Sequence, residues 1–111
     1  MSRRTFRVQW ADTAVRDLEE LLSYVAADAP ASAERILDRL EQRARTLASS
    51  PSRGRVVPEL AHFGLRNWRE LLVKPYRIIY RIEERTVSVL AVLDGRRELE
   101  DLLLERLIRD S

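Results

Sequence analysis

Cysteine is absent from the 111 residues, which excludes disulfides and thiolate chemistry. Histidine occurs once, as His62, so a metal site or triad that needs several imidazoles lacks its parts. The three glycines, at 54, 64 and 95, never cluster, and a glycine-rich phosphate loop is excluded with them. No nucleophile stands with a base beside it, and no carboxylates share helical metal-ligand spacing, so neither cofactor nor metal is expected. No apolar run approaches the roughly 20 residues of a membrane-spanning helix. The N-terminus, MSRRTFRV, lacks the apolar stretch of a signal peptide. The expectation is a soluble, cytoplasmic protein that makes no membrane contact. Its 111 residues and 13.0 kDa leave room for one domain, 1–111.

What the chain does have is charge, unevenly spread. Residues 1–50 carry 8 Arg against 8 acids and are neutral. Residues 51–97 carry 9 Arg and Lys74 against 5 acids, a balance of +5, and residues 98–111 carry 2 Arg against 5 acids, a balance of −3. An anionic partner would be drawn to the middle segment.

Period supplies the elements. In "RTFRVQW", residues 4–10, Phe6, Val8 and Trp10 alternate with Arg7 and Gln9, which predicts a half-buried strand. Asp12 is placed to cap a helix carrying Ala14, Leu18, Leu21, Leu22 and Val25. Pro30 suits the first turn of a second helix, 31–48, with a stripe of Ala33, Ile36, Leu37, Leu40, Ala44 and Leu47. The short break between them predicts an antiparallel hairpin. Residues 49–60, "SSPSRGRVVPEL", read as a loop. Three strands follow, at about 66–73, 76–82 and 86–93, joined by turns short enough to force antiparallel neighbours. In the last of these, Val87, Val89, Ala91 and Leu93 form one set, with Leu90 and Val92 apolar as well, the pattern of a strand covered on both sides. "RRELEDLLLERLIRD" predicts a closing helix. The order β-α-α-β-β-β-α implies an α+β domain, its helix hairpin packed on one face of a twisted, mostly antiparallel sheet. The opposite face, left open in this inventory, is the expected working surface.

The polar residues of that sheet are Arg53, Arg55 and Glu59 in the loop, then Arg66, Arg69, Glu70, Arg77 and Arg81, then Arg96 and Arg97. A cross-strand ion pair is expected between Glu70 and Arg77. Tyr76 and Tyr80 are expected in the core with their hydroxyls bonded at its edge. The segment "VLAVLDGRREL", 89–99, ends a strand on paired guanidinium groups. External contact and local pairing are equally open readings of Arg96 and Arg97.

The chain as a whole resembles toxins of the RelE/ParE superfamily, the toxic halves of type II toxin–antitoxin pairs. The likeness runs through "VQWADTAVRDLEELLSYV", Pro30 and Ala33, "SPSRGRVVPEL", "WREL", "PYRIIYRI" and "VLAVLDGRREL". It implies a cognate antitoxin that wraps the toxin, with assembly as a homodimer or an antitoxin-linked heterotetramer. Leu99, Leu103, Leu104 and Leu107 of the closing helix are the antitoxin contacts it suggests, because that helix carries more apolar surface than one stripe needs. Two activities occur in the superfamily: ParE-like binding of DNA gyrase, and RelE-like cutting of mRNA on the ribosome. Arg77 and Arg97 match the two arginines of the RelE-like pattern. A lysine pair on the preceding strand is replaced by Trp68, Arg69 and Glu70, and the tyrosine position reads Leu102 or Leu103. These departures favour the ParE-like, non-catalytic branch. Arg69, Arg77, Arg96 and Arg97 are then the target contacts, with Arg55 and Glu70 structural. A nucleic-acid-binding accessory module, using the basic middle segment, is a third reading.

Overall fold

The computed structural model describes residues 5–95 and Arg106. Among the described residues five strands, β1 (Arg7–Trp10), β2 (Arg55–Val56), β3 (Trp68–Val73), β4 (Tyr76–Glu83) and β5 (Thr86–Asp94), lie in the order β1-β5-β4-β3-β2. β3, β4 and β5 form the expected antiparallel meander, and β1 joins it in parallel beside β5. Two-residue turns, Lys74-Pro75 with a cis bond and Glu84-Arg85 with Glu84 at φ 54°, connect the meander.

α1 (Asp12–Ala26) and α2 (Pro30–Arg45) cover one face. Pro30 opens α2, where its missing N–H costs nothing. Asp12 does not cap α1: Ala11 holds the cap position, and Asp12 lies in the first turn, where its carboxylate still favours the helix N-terminus. The stripe reaches Leu47, as expected, but the α-helix expected to run to Ala48 ends at Arg45, and a 3₁₀ turn, Thr46–Ala48, carries Leu47 inward. Ala14, Leu40, Ala44 and Leu47 pack there on Leu71, Val73, Tyr76, Ile78, Tyr80, Val87, Val89 and Val92.

Two expectations change in the sheet. β5 does not keep one parity from end to end. Ile79 pairs with Ala91 but Tyr80 pairs with Val89, leaving Leu90 as a bulge. Two residues opposite one reverse the alternation. Val87, Val89 and Val92 therefore face the helix hairpin, while Ala91 and Leu93 face the other way. The bulge turns backbone groups toward α1, where Thr13 Oγ1 donates to the Leu90 carbonyl at 3.0 Å and the Val92 N–H donates to Asp17 Oδ2 at 3.0 Å.

The segment read as loop holds a 3₁₀ turn (Pro51–Arg53), β2 (Arg55–Val56) and a one-turn helix, α3 (Pro58–Ala61). It partly covers the face expected to be open. Val57 and Leu60 bury against Ile79 and Ala91, with Trp68 and Leu93 at the margin. Periodicity cannot reveal elements this short. The expected closing helix falls outside the described residues apart from Arg106.

Candidate functional site

The site grows from alternation on the central meander. On the face opposite the helix hairpin, β3 presents Glu70 and Leu72 and β4 presents Arg77 and Ile79. β2 sets Arg55 directly across from Glu70, and α3 brings Glu59 over Arg77. These four charged residues form a chain of ion pairs. Arg55 Nε meets Glu70 Oε2 at 2.6 Å, and Arg77 Nε meets Glu70 Oε1 at 2.6 Å, with Arg77 Nη2 on the same oxygen. Arg77 Nη1 and Nη2 fork onto the two oxygens of Glu59 at 2.9 and 3.0 Å. Charge-assisted, bidentate geometry of this kind is the strong form of a hydrogen bond.

Burial differs along the chain of pairs. The Glu70 side chain is fully buried, Arg77 nearly so, Glu59 is 29 % exposed and Arg55 60 %. Burial alone would pull the Arg77 guanidinium's pKa down, but the bonds from Glu59 and Glu70 outweigh it and hold it above the ordinary value. The Arg77 fork in turn holds the Glu59 carboxyl below the usual carboxylate range.

Gly54 ties the loop to the other face. Its N–H donates to Tyr80 Oη at 2.9 Å, and that hydroxyl donates to the Pro51 carbonyl at 2.7 Å. A Cβ on Gly54 would stand 2.3 Å from the Glu70 carbonyl oxygen, so only glycine lets the loop approach β3. Burial pushes the Tyr80 phenol's pKa up.

The expected gathering of arginines on one face is only partly present. Arg69 pairs across the ladder with Tyr80, whose ring lies in the helix-side core, and Arg69 Nη1 donates to the Gly54 carbonyl at 2.7 Å. Strand alternation thus sends Arg69 and Arg77 to opposite faces. Arg77 presents most of its donors to internal carboxylates rather than outward. Arg81 shares its face, stacked 5.1 Å from the Trp68 ring and paired with Glu83 at 2.6 Å. Arg96, Arg97, Leu99, Leu103, Leu104 and Leu107 lie outside the described residues. Arg106 reaches back to Asp17 Oδ1 at 2.7 Å, beside the β5 bulge.

Glu59 stands among the polar residues expected at the working surface, but neither its fork with Arg77 nor the pairing of Asp17 with Arg106 is foreseeable from the sequence. Glu59 carries a faint local signal, a carboxylate one residue after Pro58 at a helix start. Among the described residues no three His, Cys, Asp or Glu side chains cluster as a metal site, and no helix is long and apolar enough to cross a membrane.

Comparison with known proteins follows the same lines. Residues 8–99 match the family model described as ParE toxin of type II toxin-antitoxin system, parDE. A Sinorhizobium fredii protein named as a toxin, Y4kP, is 32 % identical over 105 residues, 93 % of this chain and 100 % of its own. Toxin RelE2 of Caulobacter vibrioides is 32 % identical over 92 residues, covering 82 % of this chain and 97 % of that protein. A chromosomal ParDE system from P. aeruginosa shares the fold, with TM-score 0.68, 16 % identity, and coverage of 80 % of this chain and 95 % of the other. The RelBE2 toxin–antitoxin complex of Mycobacterium tuberculosis superposes with TM-score 0.61 and 27 % identity, over 84 % and 94 % of the two chains.

Proposed function

Because the chain belongs to the ParE toxin family of type II toxin–antitoxin systems, we propose that it acts in the cytoplasm by binding DNA gyrase without cutting nucleic acid, and that a cognate antitoxin neutralises it. The observation that carries this reading is the state of Arg77. A residue that stabilises charge on a scissile phosphate needs donors aimed at the substrate. Here the Arg77 Nε, Nη1 and Nη2 groups all bond Glu59 or Glu70. Its role in this reading is to hold β3, β4 and α3 in register. Arg69, Arg96 and Arg97 are the arginines proposed to reach the target, and Leu99, Leu103, Leu104 and Leu107 to meet the antitoxin.

The second reading is a ribosome-dependent ribonuclease with Arg77 and Arg97 about the phosphate. The 32 % identity to a toxin named RelE2 favours it. One pair of assays separates the two. Added to gyrase and relaxed plasmid, the antitoxin-free protein is expected to block supercoiling or trap cleaved DNA, and to leave mRNA on translating ribosomes intact. Normal supercoiling together with codon-positioned mRNA cuts would establish the ribonuclease instead.

A further inference from the structure

The balance of residues 1–50, 8 Arg against 8 acids, hides how α2 sorts its charges. Glu34, Asp38 and Glu41 keep one flank of the helix. Arg35, Arg39 and Arg43 repeat at four-residue spacing along another, and all three are exposed. Arg39 has an arginine four residues away on each side, and Arg43 has no acid three or four residues away in either direction. Like charges at that spacing cost a helix stability, and the dipole at the helix C-terminus offsets the cost only for Arg43, in the last turn. A face that serves solvation alone interleaves the two signs.

The stripe continues onto the sheet. Arg39 Nη2 donates to the Lys74 carbonyl at 3.1 Å, which sets exposed Lys74, at the β3–β4 turn, beside it. Arg35 Nη2 donates to Ser32 Oγ at 3.0 Å. Each bond occupies one nitrogen of a guanidinium group that carries several donors. Among the described residues none of these four cations has a carboxylate partner, the reverse of Arg77. Successive arginines rise about 6 Å along the helix axis, so the stripe spans about 12 Å, the rise of three to four phosphates on one DNA strand at about 3.4 Å each. α2 has no aromatic residue on which the bases of a single strand could stack, and no large apolar side chain exposed to meet a peptide. We propose that Arg35, Arg39, Arg43 and Lys74 form a track for the phosphate backbone of duplex DNA, bound without regard to base sequence.

The test is fluorescence anisotropy of a short mixed-sequence duplex, titrated with the full-length chain over a range of salt. A single strand of the same sequence and polyglutamate are the comparators. The duplex is expected to bind tightest, and the logarithm of its affinity to fall linearly with the logarithm of salt, each phosphate contact supplying about 0.9 of the slope. Arg39→Gln and Lys74→Gln should each reduce the slope by about 0.9, alike on unrelated sequences. The combined Arg35→Gln, Arg39→Gln and Arg43→Gln variant should reduce it by about 2.7. Glutamine matches arginine as a helix former, and Lys74 lies outside the helix, so the single variants carry the test even if the combined one does not fold. Arg45→Gln, which removes the same charge from α2 but outside the stripe, should leave the slope unchanged. An equal loss in Arg45→Gln, an unchanged slope in Arg39→Gln or Lys74→Gln, or binding of the single strand or polyglutamate as tightly as the duplex would overturn the proposal. No gyrase is present, so the result stands apart from the supercoiling assay.

Discussion

The two faces of the sheet are held by different physics. Against the helix hairpin, Ile78, Val87 and Val89 meet Leu40, Ala44 and Leu47 in a dry apolar core. There any side chain of suitable size and shape contributes, because burial of apolar area is non-directional. On the other face a small apolar cluster, Val57, Leu60, Ile79 and Ala91, adjoins four charges joined by short hydrogen bonds. Those bonds are directional and all-or-none: each partner, once buried, depends on the others. The first face tolerates variation, while the second commits the chain to one arrangement of β2, β3, β4 and α3.

The contrast is broken most severely at Glu70. Glu70→Ala leaves Arg77 buried against a missing partner and frees Arg55, and the expected cost is about 3–5 kcal/mol of unfolding free energy in urea titration. A loss below about 1 kcal/mol would show that water replaces the carboxylate and that the charged face is not committed. The boundary between the faces is probed by Tyr80→Phe. The ring stays in the core, but the Gly54 N–H and Pro51 carbonyl lose their partner, and the expected cost is about 1–3 kcal/mol. Backbone amide exchange at Gly54 should rise with it, while amides in β5 stay protected. The smallest effect sharpens the comparison through pH. Glu59's carboxyl sits below its unfolded value of 4.5, so its pairing contributes fully above that pH and fades as the pH falls through the lower folded value. Glu59→Gln should flatten the acid limb of the stability profile below about pH 4.5 and leave the neutral region nearly parallel to wild type. An acid limb unchanged by the substitution would assign the slope to other carboxylates.

Legibility in the sequence divides along the same line. The helix hairpin and the three-strand meander follow from local period, since each apolar residue of Ile36, Leu40, Ala44 and Leu47 reports a single turn of helix. The Glu70–Arg77 pair was also foreseeable, because two short strands and a two-residue turn leave few registers. The bulge at Leu90 was not, since Val89 through Val92 are all apolar and no alternation marks where parity flips. Nor was α3, a single turn whose one buried leucine, Leu60, lies in a segment rich in loop residues.

The family and the outline of the sheet were determined by the chain alone, because motif order and hydrophobic period are properties of neighbouring residues. Which partner each arginine takes was decided only in three dimensions. Arg69 and Arg77 look alike in sequence, eight positions apart, yet strand alternation and the antiparallel turn send one to the Gly54 carbonyl and the other to Glu59 and Glu70. A charge takes its role from the partners that folding brings to it, and those partners come from a loop, an edge strand and a helical turn that carry no period of their own.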